Sequence, residues 1–160
     1  MFLWHFSFLL SKIREIFRFQ EDKSKNEIVF LYDLIFQNNY LKMILKEFTS
    51  ELDKLFSLKQ AEDFDNVGLL CGNPDREVSG VLVCHDALEN VVDEAISKNC
   101  NVIVTFHPII FSGLKSITGR NYVERTVLKA IENKIAIYAI HTAFDNDYFG
   151  VNYRICNELG

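Results

Sequence analysis

From Met43 onward the apolar positions keep a helical period and then condense into short runs. Ile44, Phe48, Leu52, Leu55 and Phe56 recur at helical spacing, which predicts an amphipathic helix over about 44–56. Asp63 to Asn66 is turn chemistry, and a short apolar run from Val67 to Cys71 ends at Gly72-Asn73-Pro74. Val81-Leu82-Val83-Cys84 then reads as a buried strand ending at Asp86, and Val91, Val92, Ala95 and Ile96 as one face of a helix. Val102-Ile103-Val104 is the next strand, ending at His107-Pro108. Asn121 with Glu124 three residues on has capping-box spacing and opens a helix expected to bury Val123, Val127, Ala130 and Ile131. Ile135 to Ile140 forms a third strand that stops at His141-Thr142. Continuous β-branched runs alternating with helices predict an α/β fold, a mostly parallel sheet covered by helices. Right-handed crossovers put the carboxyl ends of all three strands on one edge, where open α/β sheets bind ligands.

The first 42 residues are different. They contain no Gly, Pro or Ala, and their charges nearly cancel, with Lys12, Arg14, Arg18, Lys23, Lys25 and Lys42 against Glu15, Glu21, Asp22, Glu27 and Asp33. Two amphipathic helices fit here, about 7–18 and 28–41, around the polar stretch Gln20–Asn26. The break in composition predicts an extension at 1–42, with Met43 a plausible start of the domain that runs from 43 to 160.

Composition narrows the function classes. An apolar fraction of 49% supplies a core and excludes intrinsic disorder. A net charge of −5 with scattered Lys and Arg provides no basic face for nucleic acid. The apolar stretch Met1–Leu10 lacks the preceding positive charge and the small-residue cleavage site of a signal peptide, and it is half a membrane span. Cys71, Cys84, Cys100 and Cys156 form no CxxC pair, so reduced thiols in a cytoplasmic protein are expected.

Each strand stops at a residue able to hold a cation or move a proton: Asp86, His107, then His141 with Asp145 four positions on. Imidazole and carboxylate together bind zinc, iron, manganese or nickel. A general acid–base pair such as His107 with Asp145 uses the same residue types. Plainer roles are open for each. Asp86 suits an N-cap for a helix starting near Leu88, His107 a structural histidine, His141 a residue orienting its loop, and Asp145 a turn residue. His85 reads as a helix-entry residue, and His5 as incidental.

Asp65-Asn66-Val67-Gly68-Leu69, then Phe106-His107-Pro108-Ile109-Ile110-Phe111, then His141-Thr142-Ala143-Phe144-Asp145 with Gly150-Val151-Asn152 stand in an order and spacing that resemble the NGG-one-interacting factor three (Nif-three-like) family. Its members are also called GTP cyclohydrolase 1 type 2 homologues. The resemblance covers about Met43 to Gly160, including Ile117-Thr118-Gly119 and Tyr138, and has no counterpart for residues 1–42. It implies a two-metal site at the carboxyl edge of an α/β domain, in a protein that assembles as a homohexameric ring. In the family's His-His-Pro motif both histidines ligate; here the first is Phe106, so the carry-over rests on His107. Asp145 matches the ligating aspartate of the His-Thr-x-x-Asp motif, and His141 its supporting histidine. The remaining family ligands, a His and a Glu four residues later, belong to a segment beyond this chain. Expected metal ligands here are therefore His107 and Asp145. The function so implied is a divalent-metal hydrolase, degraded in this chain, acting on a small nucleotide-like molecule; a non-catalytic scaffold or an inactive fragment is the alternative.

A chain beginning at Met43 should melt cooperatively at a temperature close to that of the full chain, as followed by circular dichroism. A loss above roughly 3 kcal/mol, the scale of removing packed core groups, would show that the extension is integral.

Overall fold

The computed structural model describes residues 29–30, 43–148 and 150–160. Its strands are β1 (Val29–Phe30), β2 (Gly68–Cys71), β3 (Val81–Asp86), β4 (Val102–His107) and β5 (Ala136–Ala139). The helices are α1 (Leu45–Leu55), α2 (Glu89–Ser97), α3 (Tyr122–Glu132), α4 (His141–Asp145) and α5 (Val151–Leu159), with a 3-10 turn at Leu58–Gln60. The expected helix at 7–18 lies outside the described residues. Of the one expected at 28–41, Val29 and Phe30 are extended instead, pairing antiparallel with Val83 and Leu82.

The sheet order is β1-β3-β4-β5-β2. The three β-branched runs pair in parallel at its centre, as expected, with β3 on β4 and β4 on β5. The run at Val67–Cys71 becomes β2, an antiparallel edge on β5. Gly72 lets that edge close in. Its φ is +132°, and a Cβ there would stand 2.5 Å from the Ala136 methyl.

Side-chain alternation divides the core into two layers. Val81, Val83, Val102, Val104, Ala136 and Tyr138 pack against Leu45, Phe48, Leu52 and Phe56 of the α1 segment. Leu82, Ile103 and Ile137 face the other way, against Val91, Val92 and Ala95 of α2 and Val127 and Ala130 of α3. Both faces of the sheet are therefore covered, which is why the strands carry unbroken apolar runs. Two helix positions differ from expectation. Ile96 is 40% and Ile131 50% exposed, because each helix buries only the stripe that meets the sheet. Among the described residues, no helix is long and apolar enough to cross a membrane.

Asn121 caps α3 as its spacing predicts, accepting a bond from the Glu124 backbone N–H at 2.9 Å. Glu124 itself does more than complete a box. Its buried carboxylate accepts the backbone N–H groups of Thr118 (3.0 Å) and Arg120 (3.1 Å) and the Thr118 hydroxyl (2.9 Å), tying the preceding loop to the helix. The backbone bonds from Thr118 and Arg120 outweigh desolvation and hold its pKa at about 2, below the ordinary 4.5. A depressed carboxylate adds stability that is complete above its unfolded pKa and lost as pH falls toward its folded one. Glu124→Gln should accordingly be less stable than the native chain at neutral pH, and thermal melts should show that difference shrinking between pH 4.5 and about 2.

Candidate metal centre

The parallel register of β3 and β4 sets Asp86 opposite His107 at the carboxyl edge. Asp86 does not cap α2. Leu88 takes the cap position, with no side-chain cap bond, while the Asp86 Oδ1 lies 2.7 Å from His107 Nδ1. The expectation for His85 is likewise corrected: β3 runs two residues further than its apolar core, so His85 is a strand residue beside the site. Its ring lies flat against Phe106, with centroids 5.2 Å apart and planes at 6°, and meets the His107 ring edge-on at 4.3 Å. One ligand atom each from His85, Asp86 and His107 can be chosen so that all lie within 4.8 Å of one another. A cation bonded at 2.0–2.2 Å needs its ligands no further apart than about 4.4 Å, so small side-chain rotations suffice for these three to share one. Burial and the neighbouring His107 hold the His85 pKa below its ordinary value, despite Asp86. That favours the neutral imidazole, the form that ligates.

A second carboxylate–imidazole pair stands beside the first. His141 opens α4 directly after β5, at a φ of 22° that few non-glycine residues adopt. Its Nδ1 is 2.9 Å from Asp65 Oδ1, on a carboxylate with no exposed side-chain surface. Asp65 also accepts the backbone N–H of Asn66 (2.7 Å), the backbone N–H of Thr142 (3.1 Å) and the Thr142 hydroxyl. Desolvation pushes the Asp65 pKa up, but the bonds from Thr142, His141 and Asn66 outweigh it and the net shift is downward. Asp65 thus orients the His141 ring through Nδ1, as a carboxylate partner does beside a metal site. The His141 and His107 rings are 5.5 Å apart.

Asp145 closes α4 on this same edge. Desolvation raises its pKa, the charges of His141 and His107 lower it, and that of Asp65 raises it; the net shift is upward. Among the described residues the group meeting the ligand-distance condition is His85, Asp86 and His107; it contains the expected ligand His107 and not Asp145, which His141 and His107 reach electrostatically. Gly150 fixes the far end of α4. A Cβ there would fall 1.8 Å from the Phe144 carbonyl oxygen, so only glycine lets α5 begin so close.

Two residues beside the site had no place in it from the sequence, where His85 reads as a helix entry and Asp65 as part of a turn motif. His85 was legible from register, since residues next to a pair such as Asp86 and His107 neighbour one another in turn. Asp65 was marked by its turn and by the Asp65–Leu69 motif, but neither signal pointed to His141, 76 residues away. The cysteines stay outside the chemistry. All four are free, and burial pushes the Cys84 thiol up to about 12, away from the reactive thiolate.

Asp65→Ala should destabilise the chain by about 3 kcal/mol in urea denaturation, since it leaves the donors of Asn66, Thr142 and His141 without their buried acceptor.

Residues 43–160 match the family described as Duf34/NIF3 (NGG1p interacting factor 3). NIF3-like protein 1 of Bos taurus is 38% identical over 131 residues, covering 81% of this chain and 35% of that protein. A GTP cyclohydrolase 1 type 2 homolog of Clostridium acetobutylicum is 35% identical over 120 residues, covering 75% of this chain and 45% of its own. The crystal structure of Staphylococcus aureus protein SA1388 superposes with a TM-score of 0.68 at 38% identity, over 72% of this chain and 33% of that one. The chain spans between a third and a half of the length of these relatives. Matched over its whole α/β unit in sequence and in fold, the chain belongs to the Duf34/NIF3 family.

Proposed function

We propose that the carboxyl edge of this sheet binds a divalent cation and serves hydrolysis of a small, nucleotide-like molecule. The observation that supports this most is the meeting of His85, Asp86 and His107 within 4.8 Å. On this reading His107 is the central ligand, Asp145 the carboxylate that joins it from α4, and His85 and Asp86 the neighbours that complete the donor set. The donors are imidazole and carboxylate, which suit zinc, manganese, iron or nickel. Such an ion, when bound, lowers the pKa of a coordinated water and polarises a substrate oxygen. The chain's own part is to orient. Asp86 fixes the His107 ring through Nδ1, and Asp65 fixes His141 in the same way, as carboxylate partners do around metal sites. The name of the Clostridium acetobutylicum relative points the same way, toward ring opening by water. The reading extends to a cytoplasmic protein that assembles with copies of itself.

Phe106 supports a second reading. An aromatic hydrocarbon stands among His85, His107 and His141, with ring centroids 5.2, 5.1 and 5.6 Å away, where a donor would strengthen the site. A non-catalytic scaffold retaining the fold accounts for that residue equally well, and metal affinity separates the two.

Isothermal titration with zinc and with manganese should give dissociation constants of tens of micromolar, about −6 kcal/mol, because half-exposed donors spread over as much as 4.8 Å must turn inward and give up water to close on the ion. Phe106→His adds a donor among the three imidazoles and should tighten binding by at least about tenfold. His107→Ala should abolish it. No binding by the native chain favours the scaffold; nanomolar binding, or no gain in Phe106→His, would show that the ligand set is a different one.

A further inference from the structure

The sheet closes differently on its two sides. β2 is four residues long and shifts register between Leu69 and Cys71, so it offers a neighbour only a short, irregular edge. β3 has six residues and keeps one offset against β4, from Val81 opposite Val102 to Asp86 opposite His107, with no bulge. Every second residue of such a strand turns its N–H and C=O away from β4. The usual guards against a stray strand are missing from β3. The chain carries no charged residue between Glu77 and His85, and no proline between Pro74 and Pro108. Val81, Leu82 and Val83 pack in the core layers, so this uncharged, largely β-branched strand is fixed in place.

Among the described residues, β1 is what stands against this edge. It reaches only Leu82 and Val83, through Phe30 and Val29. It also comes from outside the family unit, which spans 43–160. Pairing over two residues adds little stability, since even a longer isolated pair of strands is marginal in water. The family unit of this chain therefore ends at an unguarded strand, with a small contact from the extension laid on it.

We propose that β1 closes the outer edge of β3 against a second copy of this chain, and that once β1 leaves, two β3 strands pair across a two-fold axis. The direction fits: β3 takes β1 antiparallel, and a two-fold axis perpendicular to the strand sets two copies of β3 antiparallel as well. Centred on Leu82 and Val83, the pair sets Val81 opposite Cys84 and brings no like charges face to face. A charged segment would find no complement on this strand, whereas its own equal matches it along its length. Each copy frees one such edge, since β2 is blunted, so the contact closes at two. Backbone groups make this contact, and it does not rest on the metal reading.

The test is analytical ultracentrifugation of the metal-free full chain from low micromolar to submillimolar concentration, beside Val29→Pro/Phe30→Pro and Val29→Thr/Phe30→Thr. The proline pair removes both backbone donors of β1 and leaves 43–160 unchanged. That chain should melt cooperatively and gain a species of twice the native mass that dissociates on dilution. In the same samples the outward amides of Val81–Cys84 should exchange at least about tenfold more slowly at the highest concentration than at the lowest. The threonine pair keeps both donors and should match the native chain. A proline chain of native mass throughout overturns the proposal, as do irreversible aggregation, equal association of the threonine chain, or a new species without slowed exchange. Loss of the cooperative melt in the proline chain overturns it too, since β1 would then be part of the core. Association already present in the native chain bears on the assembly reading instead, and no metal is added, so each proposal can fail alone.

Discussion

The parallel register between β3 and β4 is the constraint on which the site depends. Val81 opposite Val102 begins a ladder that ends with Asp86 opposite His107. A slip of one residue would turn Leu82 and Ile103 out of their layer, so the register is held by the whole buried face of the sheet. The same alternation continues past the core into the polar tips. His85 and Phe106 emerge on the α1 side, and Asp86 and His107 on the side of α2 and α3. Core packing thus decides which donors meet, although none of the donors contributes to it.

Two carboxylate–imidazole pairs then give the edge its electrostatic form, and they differ in kind. Asp86 and His107 are each about half exposed, at 51% and 44% of their side-chain surface, so solvent screens their attraction and the pair adds little stability. Asp65 is wholly enclosed and satisfied by four donors, so its charge is fixed in place. The rigid pair anchors α4 to the turn before β2. The exposed pair instead stands open to solvent beside His85, where a cation can reach it.

The sequence made the central sheet legible because its signal is local. Unbroken runs such as Val81–Cys84 and Val102–Val104 have few other uses than a doubly covered strand, and the residues ending them follow by position. Asn121 was legible for the same reason, its partner being three residues away. What could not be read depends on pairing across distance. β2 looks like any short apolar run until β5 offers it an antiparallel edge, and Val29–Phe30 sits in a segment whose period suggested helix before β3 recruited it. Asp65 pairs with His141 across 76 residues, and neither its turn nor the motif it opens names that partner. His85 was misread as a helix entry because a helix was expected close behind it, whereas β3 stays regular through His85 to Asp86 and α2 starts at Glu89.

Phe106 shows how a single side chain shapes its neighbours at such an edge. It packs against the α1 layer of the core, so its position is set from below by hydrophobic burial. Its upper surface is the plane on which the His85 imidazole lies at 6°. A flat apolar support of this kind restrains His85 without consuming either ring nitrogen, which a hydrogen-bonding neighbour would do. Phe106 also raises the cost of charging the His85 imidazole stacked on it, since an aromatic ring solvates an imidazolium far less well than water. Burial is the leading cause of the lowered His85 pKa, ahead of the charge on His107. Phe106 supplies no donor itself, yet it holds an adjacent imidazole in place and favours the unprotonated form that ligation demands.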